Sequence, residues 1–284
     1  MSSNRQYVVP ILLALVVVLA GCSGGGTASP ESTADGPDGG TGPAATLPTD
    51  LNVSYLEGTH GERLSTASSF TTSLNYSISN ATQTLYLETT ANIEADGSVG
   101  FERFGFRNAT GDGIFLETYT NDGTTYERTA FVSGGQEQAQ YSRGEEPYDE
   151  FGVTPVNASS ARFPELVTSV GGGVTWEQQG TTTYEGTEVV EYTASGEAAF
   201  DASFREQVQP SGGLFGTSAN ITEYDGIEAT LLLDEDGVIR QLRYEASGTQ
   251  DGEQLTVTLT VTFEDIGSTT VSEPSWLDEA RQQT

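Results

Sequence analysis

A strict alternation of apolar residues and threonines near the C-terminus constrains the fold of this chain more than any other feature. Five apolar residues share one face of an extended chain: Leu255, Val257, Leu259, Val261 and Phe263. The four threonines between them share the other face, because successive side chains of a strand point to opposite sides. This period of two is typical of an antiparallel strand with one buried face. The pattern therefore predicts a sheet whose core lies on the Leu/Val/Phe side.

Turn signals separate further runs of this kind. Asp-Gly and Asn-x-Gly steps supply the positive φ that tight hairpins need, and they begin at Asp96, Asn121, Asp225, Asp236 and Asp251. We predict eleven strands, over residues 69–79, 83–94, 98–107, 113–120, 124–132, 137–143, 173–179, 182–194, 222–234, 237–247 and 253–265. So many strands in one domain predict a mainly β (α+β) fold built on one large, curled antiparallel sheet.

Four stretches favour helix, over residues 52–67, 159–170, 198–208 and 273–280. The third places Phe200, Phe204 and Val208 four residues apart, which makes a helical stripe. Such a stripe more often packs in a core than binds a ligand. The apolar face of a sheet needs a cover, and these helices are too few to form a layer of their own. We expect them on the concave side of the sheet.

The N-terminus carries an export signal. An apolar run precedes Leu19, Ala20, Gly21 and Cys22, and it is shorter than the ~20 residues of a membrane span but suits a secretory signal. The four residues match a lipobox, in which the chain is cut before the cysteine and the thiol is acylated. The alternatives are an ordinary secretory signal or an uncleaved anchor. We expect a mature chain that begins at lipidated Cys22 on the extracytoplasmic face of the cell membrane.

Three segments follow from these patterns. Residues 1–21 form the signal peptide, and residues 22–50 form the lipidated N-terminus and a linker of Gly, Ser, Thr, Pro and Asp. A segment this polar cannot bury enough apolar surface to offset the entropy of ordering, so the linker is expected to be disordered. Residues 51–284 form the folded domain.

The charge of the chain is extreme. Its formal net charge is −30, with 41 acidic residues against 11 basic ones, all of them arginine. Self-repulsion at this charge destabilises a compact state, and molar salt screens it because the Debye length falls to ~3 Å. Acid-rich, lysine-free chains resemble haloarchaeal proteins, so we expect stability to fall at low salt. A nucleic-acid partner is not expected, because phosphate binding needs clustered Lys and Arg.

The chain lacks the residues that several classes of enzyme need for catalysis. The absence of lysine excludes a phosphate-binding P-loop and Schiff-base chemistry, and the chain has no Gly-x-Ser-x-Gly motif. Its one cysteine, Cys22, is assigned to the lipid anchor. Its one histidine, His60, is expected on the polar part of the first helix or at its end. We therefore expect no enzymatic activity, no catalytic residue and no cofactor, although a pair of carboxylates for glycoside hydrolysis stays open among 41 acids.

An acidic stretch, residues 234–237, is similar to the middle of an EF-hand calcium loop. The first-ligand position would be Leu232 and the bidentate glutamate position would be Arg243, so the motif fails twice. A hairpin turn is the better interpretation, and no metal site is expected.

Asparagine sequons indicate a possible glycoprotein. Six Asn-x-Ser/Thr acceptors lack proline in the middle position: Asn52, Asn75, Asn80, Asn108, Asn157 and Asn220. Glycosylation needs an exported and exposed site. Asn80 and Asn108 are favoured because both lie near predicted turns.

Part of the domain resembles known lipoproteins. The N-terminal helix, the antiparallel meander and the hairpin over residues 231–242 resemble the LolA and LppX/LprG type of lipoprotein carrier. The stretch over residues 266–271, with Pro274 and Trp276-Leu277 after it, resembles an uncharacterised family of haloarchaeal lipoproteins. The first resemblance implies an unclosed barrel around a hydrophobic cavity that holds acyl chains.

Two functions stay open. One is a cell-surface lipoprotein that binds or carries a lipid or other apolar ligand in the half-barrel. The other is a structural or envelope-interaction lipoprotein whose interior is filled by side chains. Possible cavity residues are Phe200, Phe204, Val257, Leu259 and Val261. Protein partners are not indicated by the sequence.

Overall fold

The computed structural model describes residues 47–49, 51–94, 99–144, 172–202, 204–205 and 221–283. Several sequence-based predictions lie outside these residues: the signal peptide with the lipobox Leu19 to Cys22, the linker up to residue 46, the helix over 159–170, Val208, and the sequons Asn157 and Asn220.

One antiparallel sheet dominates the described structure, and it has the predicted number of strands, eleven. The strands are β1 Ser69–Ser79, β2 Thr84–Glu94, β3 Val99–Asn108, β4 Gly113–Asn121, β5 Thr124–Ser133, β6 Gln136–Gly144, β7 Glu177–Tyr184, β8 Thr187–Ser195, β9 Glu223–Asp234, β10 Ile239–Gln250 and β11 Glu253–Glu264. Their order in the sheet is β6-β5-β4-β3-β2-β1-β11-β10-β9-β8-β7. The sheet is not closed into a barrel, because β6 and β7 remain its two edges. The predicted half-barrel is thus the observed fold.

The hairpin between β7 and β8 corrects two predicted strand boundaries. Residues 173–179 and 182–194 were expected as strands, but the chain turns at Glu185 and Gly186, whose φ angles are 48° and 85°. Val174 forms only an isolated bridge to Phe200. The error arose because the threonines of this edge strand are exposed on both faces, so the run has no alternation from which to find its ends.

A second correction concerns Asp225 and Gly226, which were expected in a turn. Both lie inside β9, where Gly226 pairs with Ser247 and the register then skips Asp225, since the next pair is Gly248 with Tyr224. Glycine in a strand interior often marks such an irregularity. The turns predicted at Asp236-Gly237 and Asp251-Gly252 are confirmed, with Gly237 at φ 78° and Gly252 at φ 82°.

Helix α1, Val53–Thr66, confirms the first predicted helix. Asn52 is its N-cap, and its side-chain oxygen accepts a hydrogen bond from the Tyr55 amide at 3.0 Å, which satisfies one of the free amides of the first turn. Leu56 and Leu64 are buried in the same core as the inner strands. His60 is also fully buried, so its expected place on the polar part of the helix was wrong.

Helix α2, Leu277–Gln283, begins later than the predicted 273–280. A turn precedes it, in which the Leu277 amide donates to the Pro274 carbonyl at 3.1 Å. Trp276, Leu277 and Ala280 pack with tyrosines of β4 and β5 in a second, smaller cluster. This helix therefore covers β4–β6 from the side opposite the main core, so its expected place on the concave side of the sheet was wrong.

The predicted helix over 198–208 is described only in part. A 3₁₀ turn spans Glu197–Ala199, and the Asp201 carboxylate accepts a hydrogen bond from the Phe204 amide at 2.7 Å. This short cap places Phe200 and Phe204 side by side on the sheet, with ring centroids 5.3 Å apart.

Candidate ligand-binding face

The inner face of the sheet is defined here as the face that carries Leu255, Val257, Leu259, Val261 and Phe263. All five are buried, as the alternation predicted. The threonine face was expected to meet water, and it is half-buried at Thr256, Thr258 and Thr260. Thr262 departs from the expectation, because it is buried and its hydroxyl lies 2.8 Å from that of Ser73.

One line of residues crosses seven strands on this inner face. Register pairs join its members directly, from β10 through β11, β1, β2, β3 and β4 to β5. We call it the cross-strand row: Tyr244, Leu259, Tyr76, Leu87, Phe106, Ile114 and Phe131. Six strand spacings of about 4.8 Å give it a length of roughly 29 Å. The row is apolar throughout except for two tyrosine hydroxyls.

Exposure rises along the cross-strand row. Tyr244 is 1% exposed and Leu259 6%, whereas Phe131, at the other end, is 38% exposed. The four members between Leu259 and Phe131 are half-buried. The row therefore begins inside the main core and ends at the surface.

The deep end of the row lies in what we call the β9–β11 core, the buried inner face of β9, β10 and β11 together with the side chains packed on it. Phe200 and Phe204 contact Tyr244 edge to face, with centroid distances of 6.1 and 5.4 Å. The five predicted cavity residues, Phe200, Phe204, Val257, Leu259 and Val261, all lie in one core cluster. The structure thus brings together residues far apart in sequence.

The shallow end lies in what we call the β3–β5 patch, formed by Phe104, Phe106, Ile114, Leu116 and Phe131. These residues are half-buried or exposed, in contrast to the β9–β11 core. Further along the same strands the inner face becomes polar: Glu102 pairs in register with Thr118, which pairs with Glu127. The apolar surface therefore ends partway along β3–β5.

Two hydroxyl groups on the row have no hydrogen-bond partner among the described residues. Tyr76 and Tyr244 lie on either side of Leu259 in the register, and the oxygen of each is buried without a partner in the structure. Burial raises the pKa of Tyr76, and the neighbouring Tyr244 raises it further. Burial also raises the pKa of Tyr244. Sequence reasoning missed this pair, although the alternation of β1 already placed Tyr76 on the same face as Leu74 and Ile78.

A third inner-face tyrosine is satisfied. The Tyr192 hydroxyl donates a hydrogen bond to the Pro48 carbonyl at 2.8 Å, and burial raises its pKa to about 12. Leu47 and Leu51 pack against the same core. The chain that enters from the linker is thereby attached to the inner face of the sheet.

The contacts of His60 attach helix α1 to the sheet. Its Nδ1 accepts a hydrogen bond from the Ile239 amide at 3.2 Å, and its ring lies edge to face against Phe263 at 4.6 Å. Burial, and next the charge of Arg240, lower the pKa of His60 to about 3. The ring is therefore neutral near pH 7, and its Nε2 is buried with no hydrogen-bond partner in the part of the chain that the structure describes.

The acidic stretch that is similar to part of a calcium loop, residues 234–237, is the turn between β9 and β10. Asp234 Oδ1 accepts hydrogen bonds from the Asp236 and Val238 amides, and Oδ2 accepts one from Arg240 at 2.8 Å. The carboxylate thus completes a hairpin, as predicted. Within the described ranges, no group of three or more His, Cys, Asp or Glu side chains is arranged to hold a metal ion.

Four sequons lie in the described structure. Asn52 caps α1 and Asn75 is exposed on β1. Asn80 and Asn108 lie at the turns after β1 and β3, as predicted, and each side-chain oxygen accepts hydrogen bonds from the amide and hydroxyl of the threonine two residues later. The two sequons therefore share one local geometry at one end of the sheet.

The outer face of β3–β6 holds a network of arginines. Arg128 bonds to Glu117 at 2.8 Å and also contacts Glu137, and Arg103 lies 4.8 Å from the ring centroid of Phe115. The face opposite the β3–β5 patch is thus held by charge pairs and cation–π contacts.

A small cleft of about 250 Å³ lies near the end of β11. Its lining includes Tyr184, Glu185, Arg240, Glu264 and Asp265. Most of these groups are polar or charged, so the cleft differs in chemistry from the cross-strand row. In the part of the chain that the structure describes, no helix has the length and apolar character needed to span a membrane.

Comparisons with known proteins give one family match. The family model described as "Family of unknown function (DUF7537)" matches residues 7–280. No curated protein matches the chain significantly.

Among solved structures, LprF from Mycobacterium bovis is 12% identical, with a TM-score of 0.40, and covers 78% of this chain and 96% of its own. The lipoprotein LppX from Mycobacterium tuberculosis is 10% identical, with a TM-score of 0.40, and covers 78% of this chain and 100% of its own. A LolA superfamily protein from Nitrosomonas europaea is 7% identical, with a TM-score of 0.22, and covers 80% of this chain and 97% of its own.

Proposed function

Because the chain belongs to the DUF7537 family of unknown function, its function has to be argued from its own residues, and we propose that it binds a lipid or another apolar molecule along the cross-strand row. The observation that supports this proposal is the rising exposure from Leu259 to Phe131 on one apolar line. A flexible apolar chain laid along the line would cover side chains that are now half-buried. Each Å² removed from water contributes about 25 cal/mol.

The residues have distinct roles in this proposal. Leu87, Phe106 and Ile114 contact the ligand along its length. Phe200, Phe204, Val257, Leu259 and Val261 would border the ligand at the deep end. The ligand site contains no catalytic residue, and no cofactor takes part in binding.

The cellular setting is part of the same proposal. Cys22 would be acylated after cleavage within the lipobox Leu19, Ala20 and Gly21, and residues 22–50 would tether the domain outside the cell membrane of a halophile. A single acyl chain anchors only marginally, so two chains or an equivalent diether are expected. Changing Cys22 to Ser should release the protein into the medium or stall its processing. A Ser variant that stays membrane-bound at full mature size would contradict the lipid anchor.

Glycosylation is proposed at exposed sequons, with Asn80 and Asn108 preferred over Asn52, Asn75, Asn157 and Asn220. In both preferred sites the threonine hydroxyl donates to the asparagine oxygen, at 2.9 Å for Asn80 and 2.7 Å for Asn108. Both lie at turns, where a bulky glycan clashes least with the rest of the protein. Intact-mass measurement of native protein, with Asn80→Gln and Asn108→Gln variants, tests this.

A matched pair of variants tests ligand binding. Ile114 and Val132 are both half-buried aliphatic residues on the paired strands β4 and β5, but they face opposite sides of the sheet. Diphenylhexatriene, a hydrocarbon dye that fluoresces in apolar surroundings, is the probe. Ile114→Gln should weaken its binding by about tenfold, which corresponds to ~1.4 kcal/mol, and Val132→Gln should leave it unchanged.

Two results would refute ligand binding on this face. One is a parent protein that does not bind the dye after extraction with organic solvent. The other is an equal loss of affinity in both variants. Mass spectrometry of that solvent extract identifies any lipid that the native protein carries.

A second candidate function is a structural or envelope-interaction lipoprotein with a filled core. It is favoured by the packing of the β9–β11 core, in which Val257 is 0% and Phe204 1% exposed. In that case the β3–β5 patch would contact another protein rather than a ligand. The dye experiment separates the two functions, because a protein-binding patch on a filled core gives the dye no enclosed apolar site.

A further inference from the structure

Two tyrosines interrupt an otherwise apolar row. The hydroxyl oxygens of Tyr76 and Tyr244 are buried, and neither has a hydrogen-bond partner within the described ranges of the chain. Only Leu259, on the strand between them, separates the two positions in the register. Two unsatisfied donors are thus close together on the face proposed to bind the ligand.

No group in the described part of the protein satisfies these two hydroxyls. A buried polar group without a partner is costly, whereas a phenylalanine of the same shape carries no such cost. Buried hydroxyl groups in proteins nearly always have a partner, and a specific exception needs an explanation. The Tyr244 ring already packs edge to face against Phe200 and Phe204. Packing therefore accounts for an aromatic ring at this position, but it does not account for the hydroxyl group.

We propose that Tyr76 and Tyr244 donate hydrogen bonds to an acceptor oxygen of the bound molecule, which is then a neutral lipid with a ketone, ester or ether oxygen. This inference rests on the proposed function, since it needs a ligand on the cross-strand row. It adds the chemical class of the ligand, and it adds a direction. The oxygen lies at the deep end, beside Leu259, and the apolar chain runs outward over Leu87, Phe106 and Ile114 toward Phe131.

The electrostatics favour a neutral acceptor over a carboxylate. Burial raises the pKa of both tyrosines, so both hydroxyls keep their protons and remain donors near pH 7. An ionised carboxylate in an apolar site needs a cation to offset its lost hydration. The positive charge of Arg205 acts on Tyr244 and lowers its pKa by less than burial raises it. Arg205 is already ion-paired with Glu197, so it does not offset the charge of a ligand carboxylate.

The experiment compares a long-chain methyl ketone with the alkane of the same length. Both compete with diphenylhexatriene for the full-length protein in molar salt. The parent should bind the ketone several-fold more tightly than the alkane. Tyr76→Phe and Tyr244→Phe should each weaken ketone binding by about five- to tenfold, leave alkane binding within twofold, and keep or raise the melting temperature of the empty protein.

Tyr192→Phe is the matched control. Its hydroxyl is on the same inner face but donates to the Pro48 carbonyl at 2.8 Å. This variant should lower the melting temperature, because it leaves that carbonyl without its donor, and it should leave ketone binding unchanged. The control therefore separates a hydroxyl used by the fold from one used by the ligand.

The outcomes distinguish the inference from the function on which it rests. A parent that binds neither the ketone nor the alkane overturns both. Equal affinity for the two molecules, unchanged in the phenylalanine variants, overturns the role of the hydroxyls and leaves apolar binding in place. Equal losses for ketone and alkane in those variants would mean that the rings act through packing, which also overturns the hydrogen bonds.

Discussion

The β9–β11 core and the β3–β5 patch are built from the same kind of strand and differ in what covers them. Both have large apolar side chains at alternate positions of the inner face. In the core these side chains are fully buried, as at Val257 and Phe263, both 0% exposed. In the patch they are half-buried, and Phe131 is 38% exposed. The difference lies in tertiary packing, because α1 and the segment with Phe200 and Phe204 pack on one half of the sheet.

This comparison shows what period-two patterning determines. Alternation decides which face of a strand is apolar, but it says nothing about how completely that face is covered. Buried apolar area stabilises the fold, whereas half-buried apolar area is available to a ligand. One sheet can therefore supply its own core at one end of a cross-strand row and a binding surface at the other.

The largest expected effect comes from removing one aromatic ring from each region. Phe263→Ala should cost about 3–5 kcal/mol, because its ring is fully buried against His60 and Phe70. Phe104→Ala, in the patch, should cost only about 1–1.5 kcal/mol, since a half-buried ring loses about half of its transfer free energy. Urea unfolding in molar salt measures both. Equal losses would show that the two regions are equally packed.

Adding bulk sharpens the same comparison. Val257→Trp should destabilise the protein by about 1–3 kcal/mol, because the residue is 0% exposed and the core has to shift to admit the larger ring. Ile114→Trp should change stability by less than about 0.5 kcal/mol and should block dye binding. Melting temperature and diphenylhexatriene fluorescence report the two effects separately. A stable Val257→Trp variant that loses dye binding would instead place the ligand deep in the core.

The sequence predicted most of the fold because hairpin turns and alternation are local signals. The strand β1 was predicted at residues 69–79 and is observed there, and β9 to β11 are close to their predicted ranges. Prediction failed at the hairpin over Glu185 and Gly186, because the edge strand before it has no buried face. It also failed at His60, whose burial depends on the amide of Ile239, far away in sequence.

The candidate site was predictable only in part. The grouping of Phe200 and Phe204 with Val257 followed from apolar stripes on two elements that had to meet. The unsatisfied hydroxyls of Tyr76 and Tyr244 could not be predicted from such stripes. Whether a hydroxyl finds a hydrogen-bond partner depends on the order of the strands and on side chains from other strands. The gradient of exposure along the cross-strand row is likewise a property of the tertiary structure.

Acid should act on the core half through His60. Its pKa in the folded protein is about 3 and its ordinary value is 6.5, so the unfolded chain binds the proton first as the pH falls. Stability is therefore fully present above pH ~6.5 and declines by up to ~1.4 kcal/mol per pH unit below it. At pH 5 the loss should be about 2 kcal/mol.

A His60→Gln variant isolates this contribution. Its stability should be lower than that of the parent at pH 7 but should change much less between pH 7 and pH 5. Urea unfolding at the two pH values gives the comparison. If parent and variant lose the same stability, other groups cause the acid sensitivity and the lowered pKa of His60 is wrong.

The smallest expected effect concerns the outer face of the patch strands. There Arg128 lies between Glu117 and Glu137, with 14% of its side chain and 12% of that of Glu117 exposed, so Arg128→Gln should cost about 1 kcal/mol at low salt. The cost should shrink in molar salt, because the Debye length falls to ~3 Å, while the cost of Phe263→Ala should persist, because burial is not screened.

Arg243→Gln is the control: its pair with Glu245 is 55% and 38% exposed and should contribute almost nothing at either salt concentration. If the loss in Arg128→Gln does not depend on salt, the aliphatic part of the side chain stabilises this face by packing, and both faces of the β3–β5 region are held by apolar contact.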